Sequence, residues 1–463
     1  MHKKAFRTLP DLEKACVSTL YKNWRSKCTI PTAGLYPFQW LWDSAFSAVG
    51  WAYIDLSRAR QEFQTILDCQ WKNGFLAHIV YHDDDAGKSY FPGSAFQGAG
   101  ANPYAPKHVA TSGITQPPNL GYCLEQVFQL DHARAEHTDF YKNTISGIFR
   151  FHAYLYRDRD PKQEYLPYIR HNWESGTDNA VQWDAIWQSF EPRQYDIQRR
   201  DTEHVNDQQR PTKKDYNYYL TLIELSKELN FDEQQMQKTL PFLVQDPLFN
   251  ALLVASNESL ARLALQFGMS DIANTCLQWA QKTKKAMNRK LFDPIAGMYN
   301  YYDLRNEKMI KGSGAPSMVA LTAGIPNKRQ AHLMKKTLQS AHYWGEDKAY
   351  FLCATNAVTA TDYDSKRYWR GPVWIPTNWL IWKGCERYGF KSLEKQIKKD
   401  SLALVQHYGL FEYFDPAKST LQDPDSTGYG GADFSWSAAL ILDMIQSDNA
   451  NNTKSRLDLY QQI

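Results

Sequence analysis

Apolar residues recur every three or four positions along most of the chain, which is the spacing of one face of an α-helix. In residues 11–25, for example, Leu12, Ala15, Cys16 and Leu20 share such a face. Segments with this period lie near residues 11–25, 43–56, 58–72, 119–131, 137–157, 214–229, 256–267, 270–288, 327–340, 374–388, 391–407 and 433–447. Strand-like alternation is short and local, so the pattern predicts an all-α protein.

Local signals mark some of these elements. Asn257 and Glu258 indicate the start of the helix at 256–267, and Pro326-Asn327 precede the helix at 327–340. Residues 298–303 alternate in the manner of a short strand.

The helices follow one another in loose pairs, without a repeat of fixed period. Such pairs, closed into a ring with long loops at one end, form an α/α toroid. An open helical solenoid is the alternative, although solenoids usually show a detectable repeat. Because no linker divides the chain, we expect residues 1–463 to form one domain.

Three long segments separate the predicted helices, at residues 80–115, 190–212 and 410–432. All three contain aromatic residues, and the first and third also contain glycine, instead of low-complexity polar runs. Long loops in compact domains are usually functional. We interpret the triplet Asp83-Asp84-Asp85 as a solvated turn and predict no metal site.

Composition narrows the class of partner. The chain is 43% hydrophobic and 14% aromatic, which supports a large core and excludes global disorder. Its 53 basic and 50 acidic residues nearly balance, so charge gives no case for a nucleic acid or a membrane surface. The partner we expect is a small molecule, and the sequence leaves the oligomeric state unknown.

The cysteines and the apolar runs indicate the cellular compartment of the protein. The seven cysteines are scattered without zinc-ligand spacing, which favours reduced thiols. Neither a signal-peptide core nor an apolar run of 18 residues is present. These features predict a cytoplasmic protein.

Tryptophan beside acidic or polar residues is the main chemical signal. Four stretches show it, at residues 37–46, 171–184, 368–379 and 433–437, and a fifth, at residues 410–416, places phenylalanine and tyrosine beside acids. A sugar ring has apolar C–H faces and a rim of hydroxyls, so its site needs flat aromatic groups beside strong hydrogen-bonding groups. Glycoside hydrolysis usually needs two carboxyl groups. Composition does not choose that pair among nine candidates, which are Asp43, Glu174, Asp178, Asp184, Glu412, Asp415, Asp423, Asp425 and Asp433.

Four motifs together resemble glycoside hydrolase family 63, and within it the compact mannosylglycerate and glucosylglycerate hydrolases. They are HNWESGTDN (171–179), SGITQPP (112–118), YWRGPVW (368–374) and FEYFDP (411–416) with the following GYGG. The resemblance runs from about residue 30 to residue 445 and implies an (α/α)6 barrel. It also implies an inverting hydrolase that cleaves an α-glycosidic bond without a cofactor.

The resemblance assigns roles to particular residues. Asp178 corresponds to the general acid and Glu412 to the general base, and Asp43 would accept hydrogen bonds from the sugar. The wall of the sugar subsite would comprise Tyr36, Trp40, Trp42, Gln116, Trp173, Trp369, Gly371 and Trp374. Burial by Trp173 and Trp369, or the charge of Glu174, would raise the pKa of Asp178.

A second subsite is implied for a glycerate carboxylate. Arg210 suits it because guanidinium groups bind both carboxylate oxygens, and Tyr216 adds a hydroxyl. Tyr90 would be a lid residue, and one of the loops 80–115 and 190–212 would close over the substrate. Ser426 and Thr427 stand where family members supply a glutamine, which weakens the glycerate assignment.

Plainer explanations exist for several residues. Asp178 and Asp43 could cap helices. Glu412 could be a surface acid, Gln116 could start a helix, and Arg210 could belong to a polar loop.

Four other functions are alternatives. They are an α-glucosidase acting on gluco-disaccharides or oligosaccharides, a glycoside phosphorylase, a non-catalytic sugar-binding protein, and an epimerase with a histidine base. The histidines available to an epimerase are His78, His82, His108, His171 and His204.

Overall fold

The computed structural model describes residues 5–82, 90–196, 201–203 and 205–447, and only the backbone at residue 203. The predicted turn at Asp83–Asp85 lies outside these ranges, and so does His204, one of the histidines considered as an epimerase base.

Helices dominate the described residues. The α-helices are α1 (Leu9–Asn23), α2 (Leu41–Trp51), α3 (Leu56–Leu67), α4 (Ser94–Gln97), α5 (Leu120–Leu130), α6 (Thr138–Asp158), α7 (Asp184–Trp187), α8 (Lys213–Glu228), α9 (Glu233–Thr239), α10 (Pro247–Gln266), α11 (Ser270–Lys290), α12 (Ala315–Met318), α13 (Lys328–Leu338), α14 (Ala341–Trp344), α15 (Ile375–Arg387), α16 (Lys391–Tyr408) and α17 (Ser435–Gln446).

The strands are short. They are β1 (Trp24–Arg25), β2 (Cys28–Thr29), β3 (Gln39–Trp40), β4 (Ile79–Tyr81), β5 (Ala110–Thr111), β6 (Val244–Gln245), β7 (Phe292–Asp293), β8 (Met298–Tyr299), β9 (Tyr301–Asp303), β10 (Lys308–Ile310), β11 (Phe411–Tyr413) and β12 (Tyr429–Ala432). Antiparallel pairing gives the sheets β1-β2, β3-β4-β5, β10-β9-β6, β7-β8 and β11-β12.

The inner helices close into a ring. Helix α2 packs against α5, α5 against α10, and α10 against α12 and the 3₁₀ turn Val319–Leu321 that continues it. That turn packs against α15, α15 against α17, and α17 returns to α2. Behind them lie α3 on α2, α6 on α5, α11 on α10, α16 on α15 and α1 on α17, while α13 follows α12 and its 3₁₀ turn in the chain. The fold is an (α/α)6 toroid, as predicted.

Burial explains which helices are inner and which are outer. Every residue of α2 is buried, and so are nearly all residues of α15. An outer helix such as α11 buries one stripe, which includes Ala273, Cys276 and Ala280. A helix that is apolar all round is stable only inside a core, whereas an amphipathic helix can cover that core.

All twelve predicted helices are present, but one start was wrong. The helix predicted at 256–267 begins nine residues earlier, at Pro247. The Asp246 side chain caps it by accepting a hydrogen bond from the Phe249 amide at 2.8 Å. Asn257 and Glu258 therefore lie inside the helix. The start at Pro326-Asn327 is confirmed, because Asn327 forms a capping box with Gln330.

The remaining predictions on secondary structure need small changes. The strand at 298–303 is two strands, β8 and β9, which pair with different partners. The three long loops contain short strands and turns, including β4, β5, β11 and β12. Among the helices described, none is long and apolar enough to cross a membrane.

Candidate active site

A cavity lies where α2 and α17 begin and where the chain enters α5 and α15. It holds about 1060 Å³ of empty space, its open mouth included. Its lining residues come from loops, short strands and the first turns of helices that are distant in sequence. They are Pro31, Gly34, Leu35, Tyr36, Pro37, Trp40, Trp42, Asp43, His78, Tyr90, Phe91, Pro92, Gln116, Trp173, Gly176, Asp178, Asp201, Arg210, Tyr216, Tyr368, Trp369, Glu412, Phe434 and Trp436.

Most of the predicted sugar wall faces this cavity. Tyr36, Trp40, Trp42, Trp173 and Trp369 all line it. Gln116 lines it too, and its Oε1 accepts a hydrogen bond from the backbone N–H of Trp42 at 3.2 Å. The cavity therefore combines aromatic faces with polar groups held in place by the backbone.

Trp374 and Gly371 lie outside the lining. Trp374 is fully buried behind Trp369, with the two indole rings stacked at 3.8 Å between centroids. Its other face stacks on Tyr413 at 4.6 Å. A Cβ at Gly371 would lie 2.4 Å from the carbonyl oxygen of Asp364. Trp374 thus supports the wall from behind, and Gly371 packs closely against the backbone at Asp364 instead of lining the cavity.

Three of the nine candidate acids line the cavity, namely Asp43, Asp178 and Glu412. Glu174 is buried in an ion pair with Arg159 at 2.9 Å. The other five candidates lie outside the lining, and they are Asp184, Asp415, Asp423, Asp425 and Asp433. Geometry therefore leaves three of the nine candidates for the catalytic pair.

Glu412 is held by four donors. Its Oε1 accepts hydrogen bonds from the hydroxyls of Tyr36 at 2.9 Å and Tyr368 at 3.2 Å. Its Oε2 accepts one from the Gly431 amide at 3.1 Å and lies 3.5 Å from Nη1 of Arg210. Burial raises the pKa of Glu412, and Arg210 and the three hydrogen bonds oppose that rise. The donors favour the ionised form, so this carboxyl is suited to act as a base.

Asp178 has a different environment. Burial raises its pKa to about 7, helped by the charge of Glu412 and opposed by Arg210. A carboxyl with this pKa is protonated in a large fraction of molecules near neutral pH and can donate a proton. The residue lies in a turn, and the next 3₁₀ helix along the chain begins at Val181 with Ala180 as its N-cap, so Asp178 does not cap it.

The suggestion that Glu174 raises the pKa of Asp178 was wrong. Arg159 and Arg170 outweigh burial and lower the pKa of Glu174 to about 2. Glu174 instead fixes the acid-bearing turn. Its carboxylate accepts hydrogen bonds from the amides of Arg170 at 2.7 Å and Thr115 at 3.1 Å.

Asp43 faces the cavity near the start of α2. Burial, with the charges of Glu412 and Asp178, raises its pKa well above the usual range. Trp40 is the N-cap of α2 and makes no side-chain capping hydrogen bond. The Asp43 carboxyl lines the cavity and also accepts a hydrogen bond from its own backbone amide in the first turn of α2, so both predicted roles are compatible with its position.

Two contacts join the loop of the acid to the loop of Trp369. The Trp369 amide donates to Oδ1 of Asn179 at 2.9 Å. Arg370 forms a two-pronged ion pair with Asp184, at 3.0 and 2.6 Å. These bonds fix Trp369 relative to Asp178.

Glycine is required at two points around the cavity. Gly176 has a φ of +72°, and a Cβ there would lie 2.6 Å from the ring of Trp42. Gly430 has a φ of +70°, and a Cβ there would lie 2.1 Å from Oε2 of Glu412. Both positions combine a left-handed backbone with close approach to a cavity residue.

Arg210 and Tyr216 also face the cavity. Arg210 is 4% exposed, and its guanidinium carbon lies 4.3 Å from the centre of the Tyr368 ring. Its Nε donates to Oδ2 of Asp201 at 3.1 Å. The Tyr216 hydroxyl donates to the same oxygen at 3.3 Å. A cation and a hydroxyl donor thus converge on one carboxylate oxygen, beside Glu412.

Comparison with known proteins agrees with this geometry. Residues 36–437 match the model of the mannosylglycerate hydrolase MGH1-like glycoside hydrolase domain. The chain belongs to this glycoside hydrolase family. A mannosylglycerate hydrolase from Rubrobacter radiotolerans is 38% identical over 91% of this chain and 94% of its own length. A glucosylglycerate hydrolase from Mycolicibacterium hassiacum is 30% identical over 90% of this chain and 94% of its own.

A solved family structure shows the same architecture. It is the family 63 mannosylglycerate hydrolase from Thermus thermophilus in complex with Tris and D-glycerate. It is 36% identical, with a TM-score of 0.85 over 93% of this chain and 99% of its own. The predicted membership of glycoside hydrolase family 63 is confirmed, and the protein is a glycosidase.

Sequence reasoning missed several residues of this glycosidase's cavity. Tyr368 precedes Trp369 in a motif already singled out, and its position there was the available signal. Trp436 packs edge-on against Trp42 at 5.8 Å and lies in another such stretch. Asp201 lies in the segment 190–212, which was singled out as a whole, but nothing in the sequence distinguished this residue from its charged neighbours.

Other predicted residues have mixed positions. Tyr90 lines the cavity, edge-on to Trp40 at 5.7 Å. Ser426 and Thr427 do not line it. Of the described histidines proposed as bases, His78 alone is in the lining, where burial lowers its pKa to about 3. In the described part of the chain, no group of three or more His, Cys, Asp or Glu side chains could hold a metal ion.

Proposed function

We propose that the protein hydrolyses the α-glycosidic bond of a small glycoside of glyceric acid with inversion, with glucosylglycerate or mannosylglycerate as substrate. The relatives above carry these two substrates in their names, and one solved relative holds D-glycerate. The observation that carries the proposal is the position of Arg210 and Tyr216 beside the carboxyl pair.

Asp178 is the general acid of this proposal. With a pKa of about 7 it is protonated in a large fraction of molecules at neutral pH, and it gives that proton to the leaving glycerate oxygen. Departure of glycerate breaks the bond at the anomeric carbon through an oxocarbenium-like transition state.

Glu412 is the general base. Its ionised carboxylate, fixed by Tyr36 and Tyr368, removes a proton from water on the opposite face of the sugar. Attack by that water in a single displacement converts an α-glycoside into the β-anomer. The protons balance, because Asp178 loses one to the leaving group and Glu412 gains one from water.

The sugar lies among Asp43, Trp42 and Trp369 in this scheme. Asp43 accepts hydrogen bonds from sugar hydroxyls, and the indole faces cover the apolar side of the ring. Trp40, Tyr36, Gln116 and Trp173 complete the subsite, and Trp374 supports Trp369 from behind.

The glycerate carboxylate binds Arg210 and Tyr216. A buried guanidinium bonds strongly to a carboxylate because both charges are removed from water. An uncharged aglycone lacks this interaction. The arrangement therefore favours a glycerate glycoside over a gluco-disaccharide.

The test is a substrate panel followed by NMR of the released anomer. Glucosylglycerate, mannosylglycerate, an α-linked gluco-disaccharide and the neutral glucosylglycerol are incubated with the enzyme. Early release of the β-anomer from a glycerate glycoside supports the proposal. Preference for the disaccharide indicates an α-glucosidase, and a sugar phosphate formed in phosphate buffer indicates a phosphorylase. An epimer of the sugar, or no turnover, contradicts hydrolysis.

Two variants test the carboxyl pair. Asp178→Ala and Glu412→Ala each reduce turnover of a glycerate glycoside by about 10²-fold or more, since general acid–base catalysis contributes on that order. Circular dichroism establishes that each variant is folded. A near wild-type rate in either one refutes its assigned role.

We further propose that residues 1–463 act as one catalytic domain in the cytoplasm. All seven cysteines are buried and free, which is compatible with a reducing compartment.

A further inference from the structure

The carboxylate of Asp201 stands at the subsite proposed for the glycerate carboxylate. It begins the short 3₁₀ turn Asp201–Glu203, and its side chain is 12% exposed. Its Oδ2 accepts hydrogen bonds from Nε of Arg210 at 3.1 Å and from the hydroxyl of Tyr216 at 3.3 Å. These are the two donors that the proposed function gives to the substrate.

Arg210 lies close to two carboxylates in the cavity. Nη1 of Arg210 lies 3.5 Å from Glu412, while its Nε faces Asp201. Among the cavity-lining residues described, Arg210 is the one lysine or arginine, against four carboxyl groups. His78 adds no charge there, since its pKa is lowered to about 3. A bound carboxylate would add a further negative charge next to Asp201 and Glu412.

A ligand carboxylate and Asp201 therefore compete for the same donors. One guanidinium edge and one hydroxyl cannot satisfy two carboxylates at one position, and two buried like charges in contact repel each other strongly. A neutral aglycone imposes no such competition, because Asp201 can stay on Arg210.

We propose that Asp201 is a specificity-determining residue that occupies the carboxylate subsite of the free enzyme and is displaced by an acidic ligand. Its return to Arg210 and Tyr216 promotes release of the acidic product. The inference rests on the proposed function, because it takes the Arg210 subsite as the place where glycerate binds.

Replacement of the charge tests the inference. Asp201→Asn keeps the size of the side chain but leaves Arg210 with a weaker partner. The dissociation constant of D-glycerate, measured by titration calorimetry, is expected to fall about ten-fold, which corresponds to about 1.4 kcal/mol. KM for a glycerate glycoside falls in parallel, and KM for the neutral glucosylglycerol stays within about two-fold.

Two further variants serve as controls. Asp201→Glu retains a competing carboxylate and should keep the dissociation constant of D-glycerate within about three-fold of the wild type. Glu228→Gln removes a carboxylate from the exposed ion pair with Arg193, away from the cavity lining, and should change nothing.

The results separate this inference from the proposed function. Weaker or unchanged D-glycerate binding in Asp201→Asn overturns the inference, since Asp201 would then only orient Arg210. Absence of D-glycerate binding in both proteins overturns it as well. The wild-type enzyme's activity on the substrate panel tests the proposed function independently of these binding measurements. An enzyme that ignores glycerate glycosides but binds D-glycerate more tightly after Asp201→Asn would refute the function and keep the inference.

Discussion

The hydrogen bonds from Tyr36 and Tyr368 to Glu412 should set the acidic limb of the pH–rate profile. Both hydroxyls donate to Oε1, at 2.9 and 3.2 Å. Burial raises the pKa of each phenol well above its usual range, so both stay protonated and remain donors. Tyr36→Phe or Tyr368→Phe removes one donor and leaves the aromatic ring.

The size of the effect follows from the contacts that remain. A hydrogen bond to a charged group is worth about 1.5–3 kcal/mol, and one pKa unit corresponds to about 1.4 kcal/mol. The second tyrosine, the Gly431 amide and Arg210 still favour the ionised carboxylate in each single variant. We therefore take the lower end and expect the pKa of Glu412 to rise by about one unit. The two hydroxyls lie 3.1 Å apart, so the double variant need not be additive.

The assay is kcat/KM against pH on a glycerate glycoside, which reports the acid and the base of the free enzyme. A base must be ionised, so a higher pKa moves the acidic limb up by about one unit and narrows the profile from that side. Tyr141→Phe is the matched control, because Tyr141 donates to Asp131 at 2.8 Å and does not line the cavity. Acidic limbs that stay within about 0.2 unit of the wild type in both variants would refute the reasoning.

Three other predictions follow from buried carboxyl groups. Asp178→Asn should remove the alkaline limb near pH 7 from the pH–rate profile but keep turnover of a glycosyl fluoride, whose leaving group needs no proton. The measurement is the pH–rate profile of this variant on a glycerate glycoside and on the glycosyl fluoride. Glu174→Gln should lower the free energy of unfolding by about 3–5 kcal/mol, because it removes one of the two carboxylates that neutralise the buried Arg159 and weakens the acceptor of two buried backbone amides. Glu307→Gln, in an exposed ion pair, should cost under about 1 kcal/mol, and urea titrations that give the two variants the same cost would contradict this prediction. Burial raises the pKa of Glu62 to about 8, so the stability that this carboxyl contributes is full below its ordinary pKa of 4.5 and is lost as the pH rises through 8. Unfolding titrations at several pH values should therefore show Glu62→Gln becoming more stable relative to the wild type as the pH rises from 4.5 to 8, and a difference that is constant with pH would contradict this.

Helix periodicity predicted the ring well where a helix has an exposed face. Helices α3, α11 and α13 bury one stripe each, and the apolar period reveals such a stripe. The same signal fails for the first nine residues of α10, all but fully buried, because no polar face marks the period. It also failed at α12 with its 3₁₀ turn, which is too short to show a period.

The candidate site was predictable as far as its motifs reach. Most of the predicted wall residues line one cavity, and the motif that contains Trp369 also contains Tyr368. The sequence does not show whether an aromatic residue lines the cavity or packs behind a residue that does. Trp369 and Trp374 look alike in sequence, yet one faces the cavity and the other stacks behind it at 3.8 Å.

Proximity in sequence is a poor guide to which charged residues interact in the site. Glu174 is four residues from Asp178, but its charge is taken by Arg159, and the pKa of Asp178 responds instead to Glu412, far along the chain. The ring explains this, because inner helices from both ends of the chain deliver their loops to one cavity while neighbours in sequence can point to opposite sides of a turn. Roles in acid–base chemistry therefore depend on contacts that the toroid makes. Variants of Glu174 should consequently change stability and the position of the acid without moving the pKa of Asp178 through direct charge.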